Sequence, residues 1–130
     1  MNRYLLDTHA LIWFLEGNEI LPSRVRSIIM DTEVNVFISI VTLWEIAIKI
    51  SIGKLQLTKT LSDIIDQLAE DKIIILPVET PALLHLLTMP FHHKDPFDRI
   101  IIAQAFTENV ILLSNENIFD VYKARRIWEG

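Results

Sequence analysis

Cysteine is absent from this sequence of 130 residues, and glycine occurs only three times. The lack of cysteine excludes disulfide bonds and zinc sites built from thiolates. It also fits a reducing compartment such as the cytoplasm, where we expect the protein to act. The chain has no internal repeat, low-complexity tract or linker, so we expect residues 1–130 to form a single domain with a substantial core.

Uninterrupted hydrophobic runs are also missing, although the mean hydropathy is high at +0.34. The most apolar stretch, VFISIVTLWEIAIKISI, contains Glu45 and Lys49 near its middle. Each of these charges would cost about 2.5–3.5 kcal/mol at the centre of a bilayer. The N-terminal segment carries Asp7 where a signal peptide has its apolar core. We therefore expect neither a signal peptide nor an association with membranes.

Basic residues are in the minority, because 12 Lys and Arg stand against 17 Asp and Glu and leave a net charge of −5. This balance argues against a protein that coats nucleic acid by electrostatic attraction alone. It is compatible with an acidic metal site, whose carboxylates would themselves raise the count of acids.

Patterns typical of strands and helices alternate along the chain. Runs of apolar and β-branched residues predict strands at RYLL, NVFIS, KIIILP, NVILLS and, near the C-terminus, RRIW. Helical spacing predicts helices between them, among others at Thr8 to Glu16, LWEIAIKISI, KTLSDIIDQLAED and TPALLHLLTM. This alternation predicts an α/β fold with a central, mainly parallel sheet flanked by helices. Ligands of such sheets bind beyond the carboxyl ends of the strands, so polar residues there are candidates for a functional site.

Local signals mark several helix ends. Thr60 and Asp63 have the spacing of a capping box. Thr80 followed by Pro81 suits an N-cap and a first helical position, and Gly53 suits the end of the helix LWEIAIKISI.

Two acids follow predicted strands closely and have competing interpretations. Asp7 comes directly after RYLL, where it is either the N-cap of the next helix or a functional carboxylate. Thr42 and Glu45 are spaced as a capping box, and Glu45 with Lys49 forms an i,i+4 pair worth about 0.2–0.5 kcal/mol. Against a purely structural role, Glu45 lies on a helix with few other polar positions.

The segment KDPFDRIIIAQA places two more acids at the start of a buried element. Asp95 with Pro96 predicts an N-cap and a first helical position. Asp98, at the third position, is favoured by the helix dipole, but capping explains it less well than Asp95. Arg99 is placed to pair with either acid.

Polar residues also follow the strand NVILL, in the segment SNENIF. Ser114 and Glu116 lie at the predicted C-terminal end of this strand, where an ordinary polar turn is the alternative. His92 and His93 precede the predicted helix start. Adjacent histidines chelate one metal poorly, so we expect these two to lie in a solvated loop.

Taken together, the acids predict a metal site. Three or four carboxylates on separate elements, at the edge where α/β sites form, would repel one another unless a cation is present. Hard oxygen ligands suit Mg²⁺ or Mn²⁺. Asp98 is then best interpreted as a metal ligand directed from a helix start, with Asp95 holding that start in place.

Four segments in this order, YLLDTHALIW, SIVTLWEIAIK, HHKDPFDRIIIAQA and ILLSNENIF, resemble the motifs of PIN-domain proteins, and of VapC-like toxins in particular. The resemblance covers nearly the whole chain and implies a three-layer PIN-like fold. It implies a Mg²⁺- or Mn²⁺-dependent endoribonuclease that hydrolyses RNA phosphodiester bonds through a metal-activated water. It also implies a toxin that a cognate antitoxin protein neutralises.

Site residues follow from the same resemblance. The acids of the family correspond to Asp7, Glu45 and Asp98 as metal ligands. The fourth family position, usually Asp, falls on Glu116, which is one methylene longer, with Ser114 at the hydroxyl position. Supporting roles fall on four residues: Thr8, Asp95, Arg99 and Ser114. Candidates for offsetting charge where RNA approaches are Arg3, Lys49, Lys94 and Arg99.

The excess of apolar residues predicts partners. Trp13, Phe14 and Trp44 flank the early helices, and a large exposed apolar patch usually marks an interaction site. We expect a homodimer and an antitoxin segment that lays an amphipathic helix into a groove.

Two other functions remain open. A Mg²⁺-dependent phosphatase or receiver-like domain would need a second acid close to Asp7, where Thr8 and His9 stand instead. A non-catalytic binding module would use the acids only as helix caps.

Overall fold

The computed structural model describes residues 2–129. Strands and helices alternate in it as the sequence predicts. The strands are β1 (Arg3–Leu6), β2 (Asn35–Ser39), β3 (Ile74–Leu76), β4 (Ile111–Leu113) and β5 (Arg126–Ile127). The helices are α1 (Thr8–Leu15), α2 (Ser23–Met30), α3 (Ile40–Ser51), α4 (Leu61–Glu70), α5 (Thr80–Thr88), α6 (Pro96–Thr107) and α7 (Ile118–Val121).

All five strands form one parallel sheet in the order β3-β2-β1-β4-β5. The first strand of the chain therefore lies at the centre, between β2 and β4. The prediction of an α/β fold with a parallel central sheet is confirmed. Even the two-residue strand β5, within the tail segment RRIW, is present and pairs with β4.

Alternate residues of the strands enter two separate cores, which makes the fold three-layered. On β1, Tyr4 and Leu6 belong to one core and Leu5 belongs to the other. The first core lies against α1, α2 and α4, and the second against α5, α6 and α7. This alternation follows from the two-residue period of a strand, and strands buried on both faces read as continuous apolar runs.

Two of the predicted helix-end signals are wrong. Helix α3 begins at Ile40 and its N-cap is Ser39, whose Oγ accepts from the Val41 amide, so Thr42 and Glu45 form no capping box. Helix α5 has Glu79 at its N-cap, without a side-chain hydrogen bond, so Thr80 is its first residue rather than its cap. Proline is tolerated at either early position because the first amides of a helix have no intrahelical partner.

The other signals hold. Thr60 accepts from the Asp63 amide at 3.1 Å at the start of α4. Gly53, with φ +73°, follows the end of α3 in a conformation that glycine adopts without strain. No helix within residues 2–129 combines the length and apolar character needed to cross a bilayer.

Candidate active site

The carboxyl ends of the three central strands meet at one edge of the sheet, and the acids predicted from the sequence lie there. Strand β1 runs into Asp7, β2 runs into α3, and β4 runs into Ser114. A cavity of about 280 Å³ opens at this edge. Its lining consists of Asp7, Thr8, His9, Glu45, Lys49, His93, Asp95, Asp98, Glu116 and Ile118. The structure thus brings together all four acids proposed for the site.

Asp7 is the most enclosed of these acids, with 2% of its surface exposed. Its Oδ1 accepts from the Ala10 amide at 2.9 Å, and its Oδ2 accepts from the Ser114 hydroxyl at 2.6 Å. The capping and the functional interpretations are therefore compatible, because one oxygen caps α1 while the other lies at the cavity. Burial raises the pKa of Asp7 to about 6, although the hydrogen bond from Ser114 opposes the shift.

Glu45 is held by two donors from opposite sides. Thr8 Oγ1 donates to Glu45 Oε1 at 2.8 Å, and Lys49 Nζ donates to Oε2 at 2.7 Å. Because the Thr8 proton points to Glu45, the 3.1 Å contact between the hydroxyls of Thr8 and Thr42 has Thr42 as donor. The predicted i,i+4 pair of Glu45 and Lys49 is thus present, and it lies in the wall of the cavity.

Asp95 and Asp98 make different contacts: Asp95 caps a helix, whereas Asp98 does not. Asp95 Oδ1 accepts from the amides of Phe97 and Asp98 at 2.9 and 3.1 Å, so it caps α6 as expected. Burial, together with the smaller effects of the charges of Asp95, Asp7, Glu45 and Glu116, raises the pKa of Asp98 to about 7. Carboxylates from separate elements therefore act on one another electrostatically.

Ser114 links two of the acids. Its Oγ donates to Asp7 and accepts from the Glu116 amide at 2.9 Å, which sets the turn that carries Glu116. The Glu116 side chain is half-exposed and lies 3.7 Å from His9 Nδ1. Glu116 is thus at the mouth of the cavity rather than in its buried interior.

His93 belongs to the site, and the expectation that it lies in a solvated loop is wrong. Its Nε2 is buried, 3.4 Å from Asp98 Oδ2, whereas the neighbouring His92 is exposed. Burial lowers the pKa of His93, which favours the neutral ring. Its position two residues before a helix cap was the available signal, because such a segment must pass beside the helix start.

Two basic residues lie elsewhere than expected. Arg99 donates to the Pro90 carbonyl and to Tyr122 Oη, both at 3.0 Å, and packs over Phe91, so it pairs with neither Asp95 nor Asp98. Arg3 lies at the opposite end of β1, where it contacts Glu108, and is not a candidate for the site. Lys49 lines the cavity, and Lys94 is exposed in the adjacent loop.

The chemistry of the donor set fits a divalent cation. Within residues 2–129 no three acid or imidazole side chains are already converged as a complete ligand set. Mg²⁺ does not require such a cage, because it retains several waters and binds through one or two carboxylates. Burial, and to a smaller extent the charges of neighbouring acids, raises the pKa values of Asp7 and Asp98 at this cavity, and a bound cation would oppose both effects.

Comparison with known proteins agrees with the motifs in the sequence. The protein-family model of the PIN domain matches residues 4–124 of the sequence. No curated protein matches the sequence.

Solved structures share the fold. A chain in the structure of VapBC2 from Rickettsia felis, bound to a DNA fragment from their promoter, superposes with a TM-score of 0.74 at 14% identity, over 98% of both chains. A chain in the structure of FitAB bound to an IR36 DNA fragment gives a TM-score of 0.67 at 18% identity, over 95% of this chain and 93% of that one.

The raised pKa values predict how stability depends on pH without divalent metal. The pKa values of Asp7 and Asp98 in the folded chain lie above the ordinary value of 3.8, so both groups bind protons more tightly in the folded chain than in the unfolded chain. Their contribution to stability is therefore fully present only below that value. We expect the free energy of unfolding to fall as pH rises from the ordinary value of 3.8 to about 7, and to level off once both groups have ionised in the fold.

Urea unfolding between pH 4 and pH 8 in the presence of a chelator measures this effect. Asp98→Asn should flatten the decline and be the more stable protein at the upper end. The matched control is Asp66→Asn, at an exposed position of α4 that does not line the cavity, and it should follow the wild type. Parallel curves for wild type and Asp98→Asn would contradict the prediction.

Proposed function

The chain belongs to the PIN-domain family, and from this membership and its acidic site we propose that it is a metal-dependent endoribonuclease, the toxin of a toxin–antitoxin pair. The observation that carries the proposal is the group of carboxylates at the carboxyl ends of β1, β2 and β4. A phosphodiester is an anion, and the five acids that line the cavity would repel it. A divalent cation bound between them would reverse that repulsion.

We propose that Asp7, Glu45 and Asp98 hold Mg²⁺ or Mn²⁺. When bound, such an ion lowers the pKa of a coordinated water and neutralises the charge that develops on a phosphodiester. The hydrogen bonds that Ser114 and Thr8 donate hold one oxygen of Asp7 and one of Glu45 in fixed directions. Orientation of ligands by such outer contacts is a general requirement of metal sites.

Two further groups at the cavity fit the proposed hydrolysis. Lys49 offsets part of the negative charge where a phosphate would enter, because its ammonium group remains partly exposed while it donates to Glu45. We propose that Glu116, at the mouth, accepts a proton from an attacking water. RNA as the substrate rests on the resemblance of the segments DTHALIW, LWEIAIK and DPFDR to those of VapC-like toxins.

The alternatives explain the site less well. A receiver-like domain or a phosphatase has no support near Asp7, because its neighbours along the chain are Thr8 and His9. A module in which the acids serve only as caps accounts for Asp7 and Asp95. It does not account for Asp98, which caps nothing and has a raised pKa, or for Glu45, whose oxygens face Thr8 and Lys49.

The first test is cleavage of RNA by the purified chain, with and without Mn²⁺. Wild type should generate new 5′ ends in total RNA only when the metal is present, and Asp7→Asn should lose this activity. Asparagine still accepts at an N-cap, so the variant separates loss of the charge from loss of the cap. Asp66→Asn is the control and should cleave as wild type does.

Thermal unfolding distinguishes metal binding from catalysis in the same proteins. A ligand that binds only the folded state stabilises it by about 2.7 kcal/mol at a hundredfold excess over Kd. Mn²⁺ should raise the melting temperature of wild type and Asp66→Asn, and raise that of Asp98→Asn much less. Equal increases in all three proteins would remove Asp98 from the metal site.

Glu116 is the position where the chain departs from its family. If it accepts a proton or orients the attacking water, Glu116→Gln should lower the rate of cleavage about tenfold, which corresponds to about 1.4 kcal/mol. We expect a small effect because the side chain is half-exposed at the mouth. Glu116→Asp keeps the charge and restores the usual family residue, so it should cleave at least as well as Glu116→Gln. Equal rates in wild type and both variants would show that Glu116 is not a site residue.

Apolar surfaces offer places for the proposed partners. Trp13 and Phe14 pack against the core, contrary to their expected role, whereas Trp44 is 60% exposed. Exposure is higher still on α5 and the loop after it, at Leu84, Leu87 and Phe91, and Leu83 on α5 is 47% exposed. A groove of about 830 Å³ is formed by the C-terminal half of α3 and the loop that leads to α4, and it is lined in part by Ala47, Ile50, Leu55, Leu57 and Leu61.

We propose that the α5 surface joins two copies of the chain and that the groove receives an amphipathic helix of the antitoxin. Leu87 is 82% exposed, so Leu87→Glu should keep the monomer folded and convert a dimer to a monomer in sedimentation velocity at micromolar concentration. Ser27→Glu, on the exposed face of α2, is the matched control. A wild type that sediments as a monomer would contradict the dimer.

A further inference from the structure

The hydroxyl of Tyr122 forms hydrogen bonds with the loop that leads into α6. The residue is buried, and its Oη lies 3.1 and 3.2 Å from the amide nitrogens of His92 and His93. Arg99 Nη1 approaches the same oxygen at 3.0 Å. Backbone amides and guanidinium groups can only donate, so three donors already point at the phenolic oxygen.

The proton of the Tyr122 hydroxyl therefore has one acceptor among these neighbours, which is His93 Nδ1 at 2.9 Å. If His93 carried a proton on Nδ1, a fourth donor would point at the oxygen and the phenolic proton would have no acceptor in this group. Nδ1 is consequently the unprotonated nitrogen. A neutral imidazole that accepts at Nδ1 carries its proton on Nε2.

That Nε2–H is directed into the site. Nε2 is buried, forms no well-aligned hydrogen bond, and lies 3.4 Å from Asp98 Oδ2. The N–H and the carboxylate attract each other at this distance, which is slightly longer than that of an ordinary hydrogen bond.

We propose that His93 is a positioning residue that Tyr122 holds as the Nε2–H tautomer, and that its N–H orients the Asp98 carboxylate without His93 being a metal ligand. The consequence for the reaction rests on the function proposed above for the cavity. Histidine and carboxylate partners that orient ligands in this way commonly contribute 10- to 100-fold to activity or metal affinity. Arg99 takes part indirectly, because its hydrogen bond to Tyr122 occupies the lone pair that a protonated Nδ1 would need.

Two substitutions of His93 distinguish the role of Nδ1 from that of Nε2. Glutamine can place an amide N–H near the position of Nε2, whereas asparagine has a polar group only near the position of Nδ1. We expect His93→Asn to lower RNA cleavage about 10- to 100-fold and to weaken the stabilisation by Mn²⁺. His93→Gln should retain most of both, although it loses the contact with Tyr122. Equal activity in wild type and both variants would overturn the proposal, and so would equal loss in both variants when each melts cooperatively.

Nitrogen-15 chemical shifts of the imidazole ring, recorded without metal or RNA, test the tautomer directly. Wild type should show Nδ1 unprotonated and Nε2 protonated, and Tyr122→Phe should shift the balance towards protonated Nδ1. A protonated Nδ1 in wild type would refute the assignment, even if the variants fail to fold. These spectra do not depend on catalysis, so a wild type that shows the expected tautomer but cleaves no RNA would overturn the proposed function and not the role of Tyr122.

Discussion

The buried carboxylate of Asp7 is the constraint on which the site depends. It lies at the end of the central strand, where one oxygen must accept from the first turn of α1 and the other from Ser114 beyond β4. Burial disfavours its charge, and the hydrogen bonds only partly offset this cost. The other acids at this edge add repulsion, so the arrangement is electrostatically unfavourable unless protons or a cation are bound.

Structural and functional roles overlap at this edge rather than compete. Asp7 caps α1 with one oxygen and accepts from the Ser114 hydroxyl with the other. Asp95 caps α6, so the side chain of Asp98, at the third position of that helix, is not needed as a cap. A helix start suits this purpose because its free amides and dipole favour nearby negative charge. Stability and site geometry therefore depend on the same hydrogen bonds.

The order of the elements could be read from the sequence because strands buried on both faces produce unbroken apolar runs, such as those of β1 and β4. The acids were found because each lies a few residues after such a run or near the start of a helix: Asp7 directly follows β1, Glu116 follows β4, Asp98 is in the first turn of α6, and Glu45 is in the helix that follows β2. Helix starts were less predictable. Because β2 passes into α3 without a break, the N-cap of α3 is Ser39 rather than Thr42, which the spacing of a capping box had indicated.

The contacts of His93 and Arg99 could not be read from the sequence, because both depend on Tyr122, which lies 29 and 23 residues further along the chain. No local pattern reports a contact between segments so far apart. The exposed apolar surface was located only in part, because Trp44 is exposed as expected but Trp13 and Phe14 are not part of it. Trp13 packs beside Trp128, at the other end of the chain, whereas the apolar side chains of α5 find no equivalent cover among the described residues.

The central position of β1 has a consequence for the order in which the molecule is made. The chain forms its middle strand first, yet β4 and Ser114 follow more than a hundred residues later, and Ser114 lies 107 positions after the carboxylate to which it donates. A chain still on the ribosome that has reached Lys94 contains Asp7 and Glu45 but not Asp98, Ser114 or Glu116. Pairing across so long a separation is also slow, because the intervening chain must be ordered before the contact forms. Any activity of this site therefore arises only after the chain has been translated past Glu116.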